Sequence, residues 1–190
     1  MGNTRADILH AARAILSDHS LADLTMRRLA TEVGVRPNAL YWHFPNKQSM
    51  LAALADDLLA DVDTAADLSW DDGLRATAVG MRAALLAVPD SAEVVSSAWA
   101  SGLAENDLAG RLSARALDGG LSPAAARGVA TGICQLTIGL TIEEQTRSQM
   151  ERLGVIGPSG RDFEAEFTEA LEVILDGARA ARRAHDVGAP

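Results

Sequence analysis

Side chains that can contact nucleic acid are concentrated in residues 36–51, which read RPNALYWHFPNKQSML. This segment holds three of the seven aromatic residues of the chain and its only lysine. Arginine can donate two hydrogen bonds to guanine, and asparagine can pair with adenine. Tyrosine, histidine, lysine and threonine can donate to phosphate oxygens. With two residues from the preceding segment, the candidate DNA-binding residues are Thr25, Arg27, Arg36, Asn38, Tyr41, Trp42, His43 and Lys47.

Two helices joined by a tight turn are needed to position these side chains. Helical spacing predicts one helix over 25–33 and a short second helix over 37–43, with Gly34 at the reversal. Small Ala30 lies four residues before that glycine and apolar Leu40 six residues after it, which is typical of a helix-turn-helix. In this motif the first turn of the second helix meets base edges, and its far end lies near a phosphate strand.

The aromatic residues Tyr41, Trp42 and Phe44 stand close together at that far end. A buried core has no need of adjacent aromatics with a histidine between them, so this cluster predicts a docking end. We expect Trp42 to pack against sugar and phosphate and also to brace the short helix.

The remaining sequence predicts helices throughout. Of 190 residues, 48% are apolar and 23% are charged, and the many Ala and Leu residues favour helix. β-branched and aromatic residues are too few and too scattered to build a sheet. Short breaks with Gly or Pro, followed by capping residues, separate about nine helices. The sequence therefore predicts an all-α protein.

Three of the predicted helices indicate how the chain is divided and how it associates. Asn46 is expected to cap a long helix that runs to residue 66. Asp90 with Glu93 matches a capping box at the start of another helix. The helix predicted over 122–152 is apolar on nearly all sides, so it must be covered on several of them. A second copy of the chain is a natural source of that cover, which predicts a homodimer.

Charge and cysteine content narrow the class of protein. The net charge is −9, but residues 1–50 carry +2 and residues 51–190 carry −11. A basic head on an acidic body is compatible with a DNA-binding head. The single cysteine, Cys134, excludes an internal disulfide and a cysteine-based zinc site. No leader and no uninterrupted apolar run of about 18 residues is seen, so we expect a cytoplasmic protein without a membrane span.

A family resemblance follows from these motifs. The stretch LTMRRLATEVGVRPNALYWHFPNKQSMLAALADDLL resembles the DNA-binding domain of the tetracycline-repressor (TetR) family, and LYWHFPNK is its most telling portion. A weaker similarity links GICQLTIGLTIEEQ and FEAEFTEALEVILDGARA to the ligand-binding, dimer-forming domain of the tetracycline repressor's own branch.

The resemblance implies a homodimeric repressor that a small molecule releases from palindromic double-stranded operator DNA. It implies a three-helix helix-turn-helix domain over residues 1–46, a linker helix over 47–66, and a helical effector-binding and dimerisation domain over 67–190. The eight candidate residues match positions on the family's DNA-contacting surface. The recognition helix reads Pro37-Asn38-Ala39 where tetracycline repressors carry Gln-Pro-Thr, so a different operator sequence is expected.

The sequence says less about the small-molecule effector than about the DNA-binding surface. Val95 and Gln135 stand where the resemblance places pocket histidines, and Glu143 alone makes no magnesium site. We therefore expect no metal, no cofactor and no tetracycline–magnesium effector, but an apolar pocket for a small apolar or drug-like molecule. Ordinary core packing is the alternative for each candidate. The candidate effector-binding residues are Trp99, Met81, Leu85, Gln135 and Thr137, with Trp70 and Met150 as further candidates.

Two other classes of protein compete with this interpretation. An enzyme is disfavoured because the four histidines are scattered, offer no metal-ligand spacing and supply no paired acid and base, so no catalytic residue is predicted. A helical protein-interaction adaptor or ligand-binding protein without operator binding would not need Tyr41, His43 and Lys47 at one end. A gel-shift assay separates these alternatives.

Overall fold

A computed structural model describes residues 4–62 and 67–188, and within these ranges the chain forms nine helices and no strand. The all-α prediction is confirmed. The helices are α1 (Arg5–Asp18), α2 (Met26–Val33), α3 (Pro37–Leu40), α4 (Lys47–Leu58), α5 (Trp70–Leu86), α6 (Ser91–Ser101), α7 (Leu108–Asp118), α8 (Pro123–Arg152) and α9 (Phe163–Gly188).

The chain divides into two compact units. The first unit comprises the described parts of residues 1–60 and 84–106, and the second comprises those of residues 61–83 and 107–190. The first unit therefore contains α1–α4 together with α6.

Local sequence sets the start of α1. Thr4 caps the helix, and its hydroxyl accepts from the Asp7 N–H while the Asp7 carboxylate accepts from the Thr4 N–H at 2.8 Å. This is a complete capping box, and the hydrogen bonds from Thr4 lower the pKa of Asp7. The buried face of α1, including Ile8 and Ile15, packs against α2 and α4.

The predicted linker helix over 47–66 is too long. The helix α4 ends at Leu58, and residues 63–66 lie outside the described residues. Residues about 50 positions later in the chain fix the C-terminal end of α4. The Asp56 carboxylate accepts from the Glu105 and Asn106 N–H groups at 3.0 and 2.9 Å, and the Asn106 amide donates to the Leu59 carbonyl at 3.2 Å. That carbonyl is thus satisfied without a further helical turn.

The predicted capping box at α6 is also wrong. Asp90 occupies the N-cap position in the left-handed region, with φ 59°, but its side chain makes no cap hydrogen bond. Its carboxylate instead accepts from the Leu21 N–H at 2.7 Å. A tertiary contact within the first unit therefore takes the place of the local one.

In the second unit, α7 and α9 pack against α8. Ser122 caps α8 and Pro123 begins it, as predicted. Its buried positions include Ile133, Thr137 and Ile138. By length and composition alone α8 is long and apolar enough to span a membrane, although polar residues interrupt its apolar sequence. A core helix can have the same length and composition, and α8 packs against α7 and α9.

Candidate nucleic-acid interface

The turn between α2 and α3 has the geometry that the motif requires. Gly34 adopts φ 76° and ψ 30°, in the left-handed region. The Val35 N–H donates to the Ala30 carbonyl at 2.9 Å, and Ala30 itself is buried. A residue with a side chain is strained in this conformation, so glycine fits the position.

The second helix of the motif is shorter than predicted. It ends at Leu40, and the chain continues in turns in which the His43 and Phe44 N–H groups both donate to the Leu40 carbonyl. The following Pro45 disfavours helix at Phe44. Leu40 and Phe44 are buried, so they fix this segment on the first unit.

The aromatic cluster divides into a core residue and two surface residues. Phe44 is fully buried, so its assignment to a docking end is wrong. Trp42 is 90% exposed, so it does not brace the helix. Tyr41 is 48% exposed. Tyr41 and Trp42 thus present aromatic surface beside the short helix α3, where a duplex can reach it.

The other predicted DNA-binding residues also lie at the surface of the first unit. Arg27, Arg36 and Asn38 are exposed, and His43 is half-buried. Arg36 is the N-cap residue of α3 and Asn38 is in its first turn. Thr25 is exposed and caps α2, with its hydroxyl accepting from the Arg28 N–H at 3.1 Å. Its hydroxyl proton remains available to a phosphate oxygen.

The start of α4 contributes a further cation. Lys47 is its first residue and is half-buried. Asn46 caps the helix, with its side-chain oxygen accepting from the Ser49 N–H at 2.8 Å. A helix N-terminus and an ammonium group together favour a phosphate.

One cation at this surface, Arg5, was not predicted from the sequence. Arg5, the first residue of α1, lies with its guanidinium 4.5 Å from the centroid of the Phe44 ring. It donates to the His43 carbonyl at 3.4 Å and is exposed. Its separation of 38 residues from His43 left no local signal.

A surface groove of about 500 Å³ runs along α2 and includes two of the predicted residues. Asp23 and Arg28 form an ion pair at 3.7 Å on its wall. The lining residues are Ala22, Asp23, Thr25, Arg27, Arg28, Thr31 and Glu32.

The predicted effector residues fall in both units. Leu85 is buried and Trp99 half-buried in the first unit. Met81 and Thr137 are fully buried in the second unit, whereas Gln135 is exposed on α8. The Thr137 hydroxyl donates to the Ile133 carbonyl at 2.8 Å, the local bond of a helical threonine.

Two further residues considered from the sequence, Cys134 and Glu143, lie in the second unit. Burial raises the pKa of the Cys134 thiol to about 11, and the charge of Asp107 adds to this effect, so the thiol stays protonated. Glu143 pairs with Arg161 on the same chain. Among the described residues, no group of three or more His, Cys, Asp or Glu side chains is placed to hold a metal ion.

Comparisons with known proteins agree with this geometry. Residues 8–54 match the family model described as "Bacterial regulatory proteins, tetR family". Residues 64–156 match the model described as "Tetracyclin repressor-like, C-terminal domain". The tetracycline repressor protein class C of Escherichia coli is 30% identical over 181 residues, which cover 91% of this chain and 82% of that repressor.

Solved structures show the same fold. The crystal structure of Mycobacterium smegmatis BioQ has a TM-score of 0.85 and 40% identity, covering 94% of this chain and 98% of that chain. A crystal structure of BioQ with its natural double-stranded DNA operator has a TM-score of 0.75 and 37% identity, covering 93% and 98%. That relative binds duplex DNA.

Proposed function

Because the chain belongs to the tetR family of bacterial regulatory proteins, we propose that two copies of it bind a palindromic operator as a repressor and leave the operator when a small molecule binds. Family membership makes it a DNA-binding transcriptional regulator. The division into a DNA-binding part (1–46), a linker (47–66, with helix to Leu58) and an effector-binding and dimerisation part (67–190) belongs to the same proposal.

The observation that carries DNA binding is the surface built around α3. Leu40 and Phe44 anchor the segment, while Arg36, Asn38 and Tyr41 remain exposed. Side chains at the start of a recognition helix reach base edges in the major groove, and cations near its far end reach phosphates. Lys47 and Arg5 supply those cations. The relative solved with its operator supports the same mode of binding.

A homodimer fits a palindromic operator, because two identical DNA-binding heads bind two identical half-sites. Two recognition helices that lie about 34–36 Å apart enter successive major grooves. On α9, Val173 is 72% exposed, an apolar side chain left on the surface of the single chain. A second copy would cover it.

Release by a small molecule follows if the effector binds a conformation of the body that does not hold the heads at this spacing. We place the effector in the second unit, with Met81 and Thr137 as buried candidates. Trp99, which is half-buried in the first unit, stays a prediction. The protein acts in the cytoplasm, where bacterial DNA is, and has no enzymatic role.

A selection experiment tests the proposal. Purified protein is used to enrich duplexes from a random pool, and the affinity for the enriched duplex is measured by fluorescence anisotropy at 50 and 200 mM salt. We expect one palindromic sequence, two chains per duplex, and an affinity that falls about 10³–10⁵-fold over this range for six to ten phosphate contacts.

The matched control is Arg127→Ala, which removes an exposed cation from α8 in the second unit and should leave operator affinity unchanged. An adaptor or ligand-binding protein without operator binding would enrich no sequence. A pool that stays random, or an affinity that does not depend on salt, overturns the proposal.

A further inference from the structure

A buried arginine lies at the centre of a polar cluster in the second unit. The side chain of Arg82, on α5, is 5% exposed. Its Nη2 donates to Glu144 of α8 at 2.8 Å, and its Nη1 lies 3.4 Å from a carboxylate oxygen of Glu164 of α9. The guanidinium carbon is 5.2 Å from the centroid of the Phe167 ring. The charge is thus neutralised, but the Nε–H is buried without a hydrogen-bond partner.

A second unsatisfied group lies on α8, the helix that also carries Glu144. The Thr141 hydroxyl is fully buried and has no hydrogen-bond partner. Thr141 precedes Glu144 by three residues on α8, so the two side chains share one face of the helix. Buried polar groups are nearly always hydrogen-bonded, because leaving one unsatisfied is costly. One unsatisfied group belongs to Arg82 and the other lies on the helix face that holds its partner Glu144, which indicates that a shared partner is missing.

A groove at the surface gives this partner a route of entry. It has a volume of about 520 Å³, and its walls are the C-terminal part of α8 and residues 159–164. Glu144 and Glu164 both line it, so Arg82 lies behind that wall. The Glu164 side chain is 71% exposed, and its contact with Arg82 is a single one of 3.4 Å. An ion pair with so exposed a carboxylate contributes little, so Glu164 can move aside at small cost.

We infer that the Arg82 Nε–H and the Thr141 hydroxyl bind the carbonyl oxygen of an uncharged small molecule that enters through this groove. A carbonyl oxygen has two lone pairs and can accept from both donors. A carboxylate ligand is disfavoured because the guanidinium already faces two carboxylates, and the groove holds four acidic side chains against two arginines. The inference rests on the proposed function, since it names the class of effector: a ketone, ester, lactone or amide.

Arginine Nε–H resonances in the ¹⁵N-labelled full chain test this binding directly. The probe is δ-valerolactone, and tetrahydropyran is its matched control, a ring of the same size without the carbonyl. The anion of the opened lactone, 5-hydroxypentanoate, is the charged comparison. The Arg82 signal is assigned by its loss in Arg82→Lys, which keeps the positive charge but removes the Nε–H.

The expected result is a saturable shift of the Arg82 Nε–H signal with the lactone, and none with tetrahydropyran or the anion. Thr141→Val should weaken lactone binding at least about tenfold without lowering the melting temperature, because its hydroxyl bonds to nothing in the free protein. Thr131→Val is the control: it removes an exposed hydroxyl from the same helix, ten residues before Thr141, and should leave lactone binding unchanged.

An absent shift, an equal shift with tetrahydropyran or a stronger response to the anion overturns the inference. Operator affinity, measured on the enriched duplex without probe, should be the same for Thr141→Val and the natural chain. Failure of the proposed function would instead appear as absent operator binding in both proteins, so the two failures are distinguishable.

Discussion

Gly34→Ala isolates the backbone energy of the turn between α2 and α3. An L-residue in the left-handed conformation costs about 1–2 kcal/mol. A Cβ added at Gly34 meets no atom within 4 Å, so no steric cost is added to this value. We therefore expect the free energy of unfolding to fall by about 1–2 kcal/mol. For a chain of this length that corresponds to a melting temperature lower by roughly 2–8 °C.

Gly34→Asn is the matched variant, since asparagine visits the left-handed region more readily than alanine. Thermal unfolding followed by circular dichroism should rank the natural chain above Gly34→Asn and that above Gly34→Ala. A loss well above 2 kcal/mol for alanine would show a clash that the structure lacks. Equal melting temperatures for all three proteins would show that the turn does not use this conformation. Either result refutes the reasoning.

Three further predictions concern the interface and the body. Lys47→Ala should weaken binding to all duplexes and reduce the slope of log affinity against log salt by about one per chain, as measured by anisotropy titrations; an unchanged slope would remove Lys47 from the phosphate contacts. Arg36→Ala should relax sequence preference, with about 1–3 kcal/mol lost for the preferred base pair only, and a uniform loss across sequences in a binding-site selection would contradict this role. Burial raises the pKa of Asp71, but hydrogen bonds from Arg179 and Ser69 outweigh it and lower the pKa to about 2. The stabilisation from Asp71 is therefore complete above pH 3.8 and is lost as the pH falls through about 2, so the stability advantage of the natural chain over Asp71→Asn should disappear in urea unfolding over that interval.

Helix starts were predictable where the capping partner is local. Thr4 with Asp7, and Asn46 with Ser49, act over three residues, so the sequence alone identifies them. Gly34 was predictable for the same reason, because the left-handed turn depends on the backbone conformation of that one residue.

Features that depend on distant residues escaped prediction. The end of α4 depends on Asn106, and the cap of α6 was lost because Asp90 accepts from Leu21, 69 residues earlier. No local pattern encodes such a contact. The sequence likewise shows only that Arg82 is a charged residue on a predicted helix. It cannot show that the Arg82 Nε–H is buried without a hydrogen-bond partner.

The residues of the candidate interface were predicted from residue type and spacing, but the three aromatic residues of this segment do not share one environment in the fold. Tyr41 and Trp42 are exposed, whereas Phe44 is in the core. All three are aromatic, and only the packing of Leu40 and Phe44 beneath the segment decides which rings remain outside. Arg5 reaches this segment only in the folded chain, where its guanidinium lies over the Phe44 ring.

The spacing of half-sites tests most directly the claim that two heads bind successive major grooves of one duplex. The enriched palindrome is compared with a version carrying five extra base pairs between its halves, which places them on opposite faces of the duplex. We predict an affinity at least about 100-fold weaker for the altered duplex, because helix-turn-helix dimers need half-sites one helical turn apart, about 10–10.5 base pairs. Equal affinities, with one chain per duplex, would contradict the account.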